Sequence, residues 1–399
     1  MKHLTILAAL IAPMAAVANP NPSDWDAVLA DAKGETVYWN AWGGSTTTND
    51  FLAWVGERVS QQYGVTLEHV KLTDTADAVT RVLSEKQAGE NDDGAVDMIW
   101  INGANFAAMK DADLLFGPYA EQLPNWALVD TNSKAVQTDF TVPVDGYESP
   151  WAMAQVVFVH DTADMPEKLG SMQALLEWTK LNPGRFSYPQ PPDFLGTTFL
   201  KQVLVDILPD ASVLAAPATD ENYDDITAPL WAYLDELTPN LWREGKAYPA
   251  TGTAMFPLIA DDEVDLSISF SPGAASTAIA NFELPDTVRT FVLDKGTIGN
   301  ASFVAIPYNS GSKAGAMIVA NFLMSPEAQA RAQDPTILGY GTVLNMDALS
   351  AEEQAVFDSL DLGIATLTPA ELGTVQAEPH PSWAVRIADD WVSRYGIAQ

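Results

Sequence analysis

The chain has 399 residues, no cysteine, 47% hydrophobic residues and a formal charge of −33. The lack of cysteine excludes disulfides, thiolate metal sites and cysteine nucleophiles. The acid excess argues against nucleic acid and anionic membrane surfaces as partners, and the hydrophobic content excludes global disorder. The length suffices for two domains with separate cores, held by packing alone.

Lys2 and His3 make a short basic start, Leu4–Ala12 is apolar, and Ala16-Val17-Ala18 fits a small-x-small cleavage pattern. This reads as a secretory signal peptide over residues 1–18, cut after Ala18. The apolar run is too short to span a bilayer, and no later segment is long and apolar enough to do so. Asn19 is not cysteine, so no lipoprotein anchor is indicated. The leader takes one lysine and no acid with it, which moves the formal charge from −33 to −34.

Strands and helices then alternate. Thr36–Trp39 reads as a short strand, followed by the loop Trp42-Gly43-Gly44-Ser45, with Thr48 or Asn49 to cap a helix that turns Phe51, Leu52, Val55 and Val59 to one face. Val65–Val70 is a second strand, and Asp74 or Thr75 opens a helix carrying Val79, Val82 and Leu83. Val96–Ile101 is a third strand, apolar throughout as in a sheet covered on both faces. It stops at Asn102-Gly103, and Asn105 follows where ligands of open parallel sheets bind, just outside strand carboxyl ends. This β-α-β-α-β order predicts an α/β fold with a parallel or mostly parallel sheet.

Glu148-Ser149-Pro150-Trp151 leads into the apolar run Ala152–His160, read as one strand that leaves the first domain for a second. Ser171 starts a helix. Tyr188 to Asp193, with three prolines, is a loop, and Thr197 or Thr198 caps the next helix. Met255–Ile259 and Leu266–Phe270 read as strand or helix-end segments around Asp261-Asp262-Glu263. Thr290–Leu293 and Phe303–Ile306 mark a return to the first domain. Ser312–Met324 is an apolar-faced helix, and Ser325-Pro326 starts another, with proline at its first position.

Several motifs carry a resemblance. The leader, WINGANF (100–106), ESPWAMAQVVFVHD (148–161), SISFSPG (267–273) and FLMSPEAQA (322–330) resemble periplasmic solute-binding proteins of ABC importers. WNAWGGS (39–45), VKLTDTADAVTRV (70–82), DMIWING (97–103), LLFGPY (114–119) and PWAMAQ (150–155) are similar to the YnjB-type family, over most of the mature chain. The resemblance implies a two-lobed, type II periplasmic binding protein-like fold, with mixed sheets flanked by helices and a hinge between lobes. Residues 19–150 and 297–345 are expected in lobe 1, and 151–296 and 346–399 in lobe 2. It implies a monomeric, non-enzymatic protein that captures a small solute between the lobes and delivers it to a membrane permease driven by a separate ATPase.

In such a protein, loops at strand ends of both lobes supply the ligand contacts. Lobe 1 offers Trp42, Gly43, Gly44, Ser45, Asn102 and Asn105. The glycines allow close backbone approach, and the following helix start offers free N–H groups. The crossing offers Trp151 and Gln155. Lobe 2 offers Tyr188, Phe194, Thr197, Thr198 and Ser271, and Asn300 lies near the return strand. Trp42, Trp151 and Tyr188 are suited to stack on an organic ring or enclose a cation, whereas Gly43-Gly44-Ser45 suits an anion. A small organic solute is the primary expectation, with an inorganic anion or ferric ion as the alternative. No cofactor and no metal is expected: GxSxG and HExxH are absent, and Asp261-Asp262-Glu263 lacks the spacing of a calcium loop. A secreted hydrolase working in an interlobe cleft is the other alternative. It needs paired carboxylates that no motif proposes.

Overall fold

The computed structural model describes residues 19–396; the expected leader and its cleavage point lie outside them. The strands in chain order are β1 (Thr36–Trp42), β2 (Thr66–Leu72), β3 (Met98–Ile101), β4 (Thr138–Asp139), β5 (Val142–Pro143), β6 (Glu148–Gln155), β7 (Val157–Asp161), β8 (Leu266–Ser269), β9 (Val288–Phe291), β10 (Thr297–Ala305) and β11 (Val375–Gln376). Two main sheets divide them, apart from the two-stranded antiparallel pair β4-β5. The larger has the order β11-β10-β3-β1-β2, with β6 also on β10; the smaller is β8-β7-β9. β1 pairs parallel with β2 and β3, as the alternation predicts, whereas β10 runs antiparallel to β3 and β6. The smaller sheet is antiparallel throughout. No helix of the described residues is long and apolar enough to cross a membrane.

Each main sheet has its own core. Val37, Trp39 and Ala41 of β1, Phe51, Leu52, Val55 and Val59 of the helix Thr46–Tyr63, and the buried helix Lys313–Leu323 pack the first lobe. Phe158, Phe186, Phe199, Leu200 and Leu234 pack the second, with Trp383, Ile387 and Trp391 of the last helix, Pro381–Tyr395. Two pairings of chain and lobe differ from expectation. Leu349 and Phe357 lie in the first core, so residues 346–360 belong with lobe 1 and not with lobe 2. The apolar run Ala152–His160 is two strands broken at Val156, because the chain changes sheets there.

That break forms the hinge. The Val156 amide donates to Ile298 O at 2.8 Å and the Gln155 amide to Phe270 O at 3.1 Å, so β6–β7 and β10 cross the lobe boundary side by side. Ile298 lies in the second core while Ala301 and Phe303 lie in the first, only a few residues along the same strand. Gln155 serves this crossing: its Nε2 donates to Thr297 Oγ1 and to Leu372 O, both at 3.1 Å.

Two caps differ from those read in the sequence. Ser45, and not Thr48 or Asn49, caps Thr46–Tyr63, its Oγ accepting from the Thr48 amide at 3.4 Å. Asp193 caps Phe194–Ile207 through the Leu195 and Gly196 amides, which leaves Thr197 and Thr198 inside that helix. A carboxylate at the N-cap satisfies two orphan amides at once, and that outcompetes the hydroxyls one turn later. Ser325 caps the helix Pro326–Gln333 as expected, accepting from the Ala328 amide at 3.2 Å.

Candidate functional site

Polar groups do not enter a packed boundary without partners, so the buried polar residues between the lobes mark the place to look. From lobe 1, β3 ends at Asn102, and Gly103 turns the chain with φ +60°, ψ −123° into the helix Ala104–Asp111. A side chain at Gly103 would collide with the Phe140 ring, whose nearest carbon lies 2.8 Å from the position of a Cβ. The Asn102 Nδ2 donates to Ala301 O at 2.8 Å and to Asp139 Oδ1 at 3.1 Å, and the Gly103 amide donates to Asp139 Oδ2. The strand end thus holds the β4 carboxylate, and Phe140 follows in the left-handed region at φ +54°.

From lobe 2, the largely apolar helix Phe194–Ile207 carries one cation, Lys201, which is 1% exposed. Its Nζ donates to Glu378 Oε2 at 2.6 Å and lies 4.5 Å from the Phe140 ring centre and 5.6 Å from that of Phe194. The contact with Phe140 joins the two lobes. Glu378 Oε1 accepts from Asn300 Nδ2 on β10 at 3.3 Å. Burial raises the Glu378 carboxyl, and Lys201 and Asn300 pull it back down. Burial also pushes Asp139 up to about 7, against the opposing hydrogen bonds from Asn102 and Gly103. Glu148 lies buried on β6 of the larger sheet with neither oxygen partnered among the described residues, and burial raises it well above the ordinary range.

A testable pH dependence follows for Asp139. Its carboxyl titrates at about 3.9 in an unfolded chain but at about 7 in the fold. Between those values the fold binds more protons than the unfolded chain, so stability is full below the unfolded value and declines as pH rises through the folded one. Asp139→Asn should flatten that decline, so that the variant gains on the wild type by a few kcal/mol as pH rises from about 4 to about 7. Urea unfolding across this window checks it, and equal slopes for the two proteins would contradict the assignment.

The expected site residues divide into four groups. Asn102, Phe194 and Asn300 come together around Lys201, Glu378, Asp139 and Phe140. Trp42, Gly43, Gly44, Ser45 and Asn105 sit at strand ends of lobe 1, half-buried or exposed; the Trp42 ring lies on Gly44, where a Cβ would meet it at 2.4 Å. Ser271 sits on a second seam between the lobes: its Oγ donates to Gly339 O at 3.3 Å, beside the Gly273 amide bonded to the same carbonyl at 3.0 Å. The rest are placed elsewhere. Trp151 is 0% exposed and packs on Trp39, Phe51, Trp100 and Tyr340, with centroids 4.8–6.3 Å away. Tyr188 stacks on Phe199 at 4.3 Å in the second core, and its hydroxyl accepts from Trp391 Nε1 at 2.9 Å. Thr197 and Thr198 are buried along their helix, and Gln155 pins the crossing. These five are corrected from ligand contacts to core and hinge residues.

Lys201 was legible as the lone cation in a stretch of apolar helix. Asp139, Phe140 and Glu378 lie on a two-residue strand or just after one, and nothing local marks them.

Comparison with known proteins agrees with this architecture. The model of the family described as bacterial extracellular solute-binding protein matches residues 54–355. YnjB of Escherichia coli K12 is 43% identical over 374 residues, 94% of each chain. Among solved structures, the periplasmic binding protein AfuA of Actinobacillus pleuropneumoniae, with fructose-6-phosphate bound, matches at a TM-score of 0.63 and 14% identity, covering 91% of this chain and 99% of that one. The spermidine/putrescine substrate-binding protein PotD of Streptococcus pneumoniae matches at 0.60 and 14%, covering 90% and 98%. At such identities the likeness is one of fold. The two cores joined by crossing strands, the family match and the near-full-length relative agree: the chain belongs to the bacterial extracellular solute-binding proteins.

Proposed function

We propose that the protein captures a small organic solute between its lobes in the periplasm, as a monomer released from its leader after Ala18, and hands it to the permease of an ABC importer driven by a separate ATPase. It does no chemistry on the solute. The observation that carries this reading is the buried cluster bridging the lobes, where Lys201 of one lobe lies over Phe140 of the other and pairs with Glu378. Opening the hinge frees an ammonium, a carboxylate and two aromatic faces at once. A solute with an acidic group for Lys201 and a donor for Glu378 replaces the internal pair and is sealed in on closure. Asn102, Asn300 and Asp139 then fix its orientation. The fold and family are those of transport binding proteins, which supports capture without turnover.

The test is incubation with candidate solutes. A bound solute should raise the melting temperature and be recovered unchanged. Small-angle scattering at saturation should show a smaller radius of gyration, because binding favours the closed form. Consumption of the solute, or an unchanged radius at saturation, would contradict the proposal.

A further inference from the structure

A second cavity, of about 210 Å³, lies wholly in lobe 2 and is lined by His160, Lys168, Arg289 and Glu371 with residues of the segment Ile364–Leu367. Its chemistry is unlike that of the rest of this acidic chain. His160 and Arg289 face each other across the β7–β9 pairing. Neither Lys168 nor Arg289 has a carboxylate partner among the ion pairs of the described residues. The Arg289 Nη1 donates to the carbonyls of Asp286 and Val288, which anchors the guanidinium and leaves its other N–H groups free. The one carboxylate on the lining, Glu371, is engaged in a capping box, accepting from the Thr368 amide at 2.9 Å and hydroxyl at 2.8 Å.

His160 is 1% exposed, and its Nε2 has no partner. Its Nδ1 lies 2.8 Å from Met165 O. A carbonyl only accepts, so Nδ1 carries the proton and Nε2 of the neutral ring is left as a buried lone pair in need of a donor. Burial, with Lys168 and Arg289 nearby, holds the ring below its usual range, against the Met165 hydrogen bond and Asp161. A buried acceptor on a cavity wall shared with two unpaired cations asks for a ligand that is anionic yet keeps an O–H.

We infer that this cavity is a site, separate from the interlobe cleft, for a tetrahedral oxyanion that retains one proton, with Lys168 and Arg289 pairing its charged oxygens and His160 Nε2 accepting its O–H. Monohydrogen phosphate meets both demands. Sulfate matches the charge but has no proton to give near neutral pH. A phosphomonoester dianion has lost its last O–H and ranks with sulfate.

The test uses the whole mature protein and inorganic phosphate. The mature chain has three histidines, His69, His160 and His380, so imidazole proton resonances resolve the site directly, with His160 assigned through His69→Gln and His380→Gln. Millimolar phosphate should shift the His160 resonance saturably and leave the other two in place. Sulfate and a phosphomonoester should bind about tenfold more weakly or worse, the scale of one lost buried hydrogen bond. Lys168→Ala with Arg289→Ala, both at the surface rim, should weaken phosphate by at least about tenfold. An unmoved His160, equal affinity for sulfate, or equal affinity in the double variant would overturn the inference and leave an adventitious ion only. None of these outcomes bears on solute capture in the cleft.

Discussion

Lys201→Met should cost about 3–5 kcal/mol of stability near neutral pH, because it leaves the Glu378 carboxylate buried without its partner. The ammonium and carboxylate meet at 2.6 Å with both side chains almost fully excluded from solvent, so water screens neither. The cost should depend on pH. Without Lys201, Glu378 is held by burial with only Asn300 opposing, and its folded pKa rises further above the unfolded value near 4.3. The protein then regains stability on acidification, since a protonated Glu378 needs no counter-charge, and loses it as pH rises through the folded value. Lys201→Met combined with Glu378→Gln should recover most of the loss at neutral pH, because no charge remains buried. Urea unfolding of the wild type and the two variants near pH 5 and pH 8 decides this. A single variant as stable as the wild type at both would show that the pair is not as buried as the structure has it.

Trp151→Ala should also cost about 3–5 kcal/mol, the scale of removing a large aromatic from a packed core. The side chain sits among four other rings, stacked on Phe51 at 6.0 Å and edge-on to Trp100 at 4.8 Å, and the backbone carbonyl of Trp151 accepts from Gln329 Nε2. Solute affinity of the folded fraction should change less than about twofold, or well under 1 kcal/mol. Trp151→Phe should lie between, since it keeps a ring in the stack. Calorimetric binding together with thermal unfolding separates the two effects: a large loss of affinity with stability intact would place Trp151 in the ligand site after all.

The misplacement of Trp151 shows where sequence stops informing. Pro150-Trp151 does lie on a crossing strand, as the reading from sequence has it, and the strand does lead to the hinge. Which face of that strand meets solvent depends on β10 and on the helix Pro326–Gln333, more than 140 residues away. Local periodicity was strongest where burial is decided locally. The face of Thr46–Tyr63 with Phe51, Leu52, Val55 and Val59 is buried as expected, and the parallel order of β1 to β3 follows from β-α-β handedness. The site is the opposite case. Asn102 and Asn300 lie at a strand end and on a crossing strand and were legible, but the charges they serve come from a helix interior and from a short segment near the carboxyl end. Only the tertiary fold brings Asp139, Lys201 and Glu378 together.

The most direct test of solute capture in the cleft is native mass spectrometry of protein purified from its own periplasm without denaturation. The account predicts a stoichiometric small-molecule adduct, released intact on unfolding, that rebinds to the wild type and binds at least about tenfold more weakly to the stable Lys201→Met/Glu378→Gln variant. A solute that binds this variant as tightly as the wild type would contradict the placement of the site, and one recovered chemically altered would contradict capture itself.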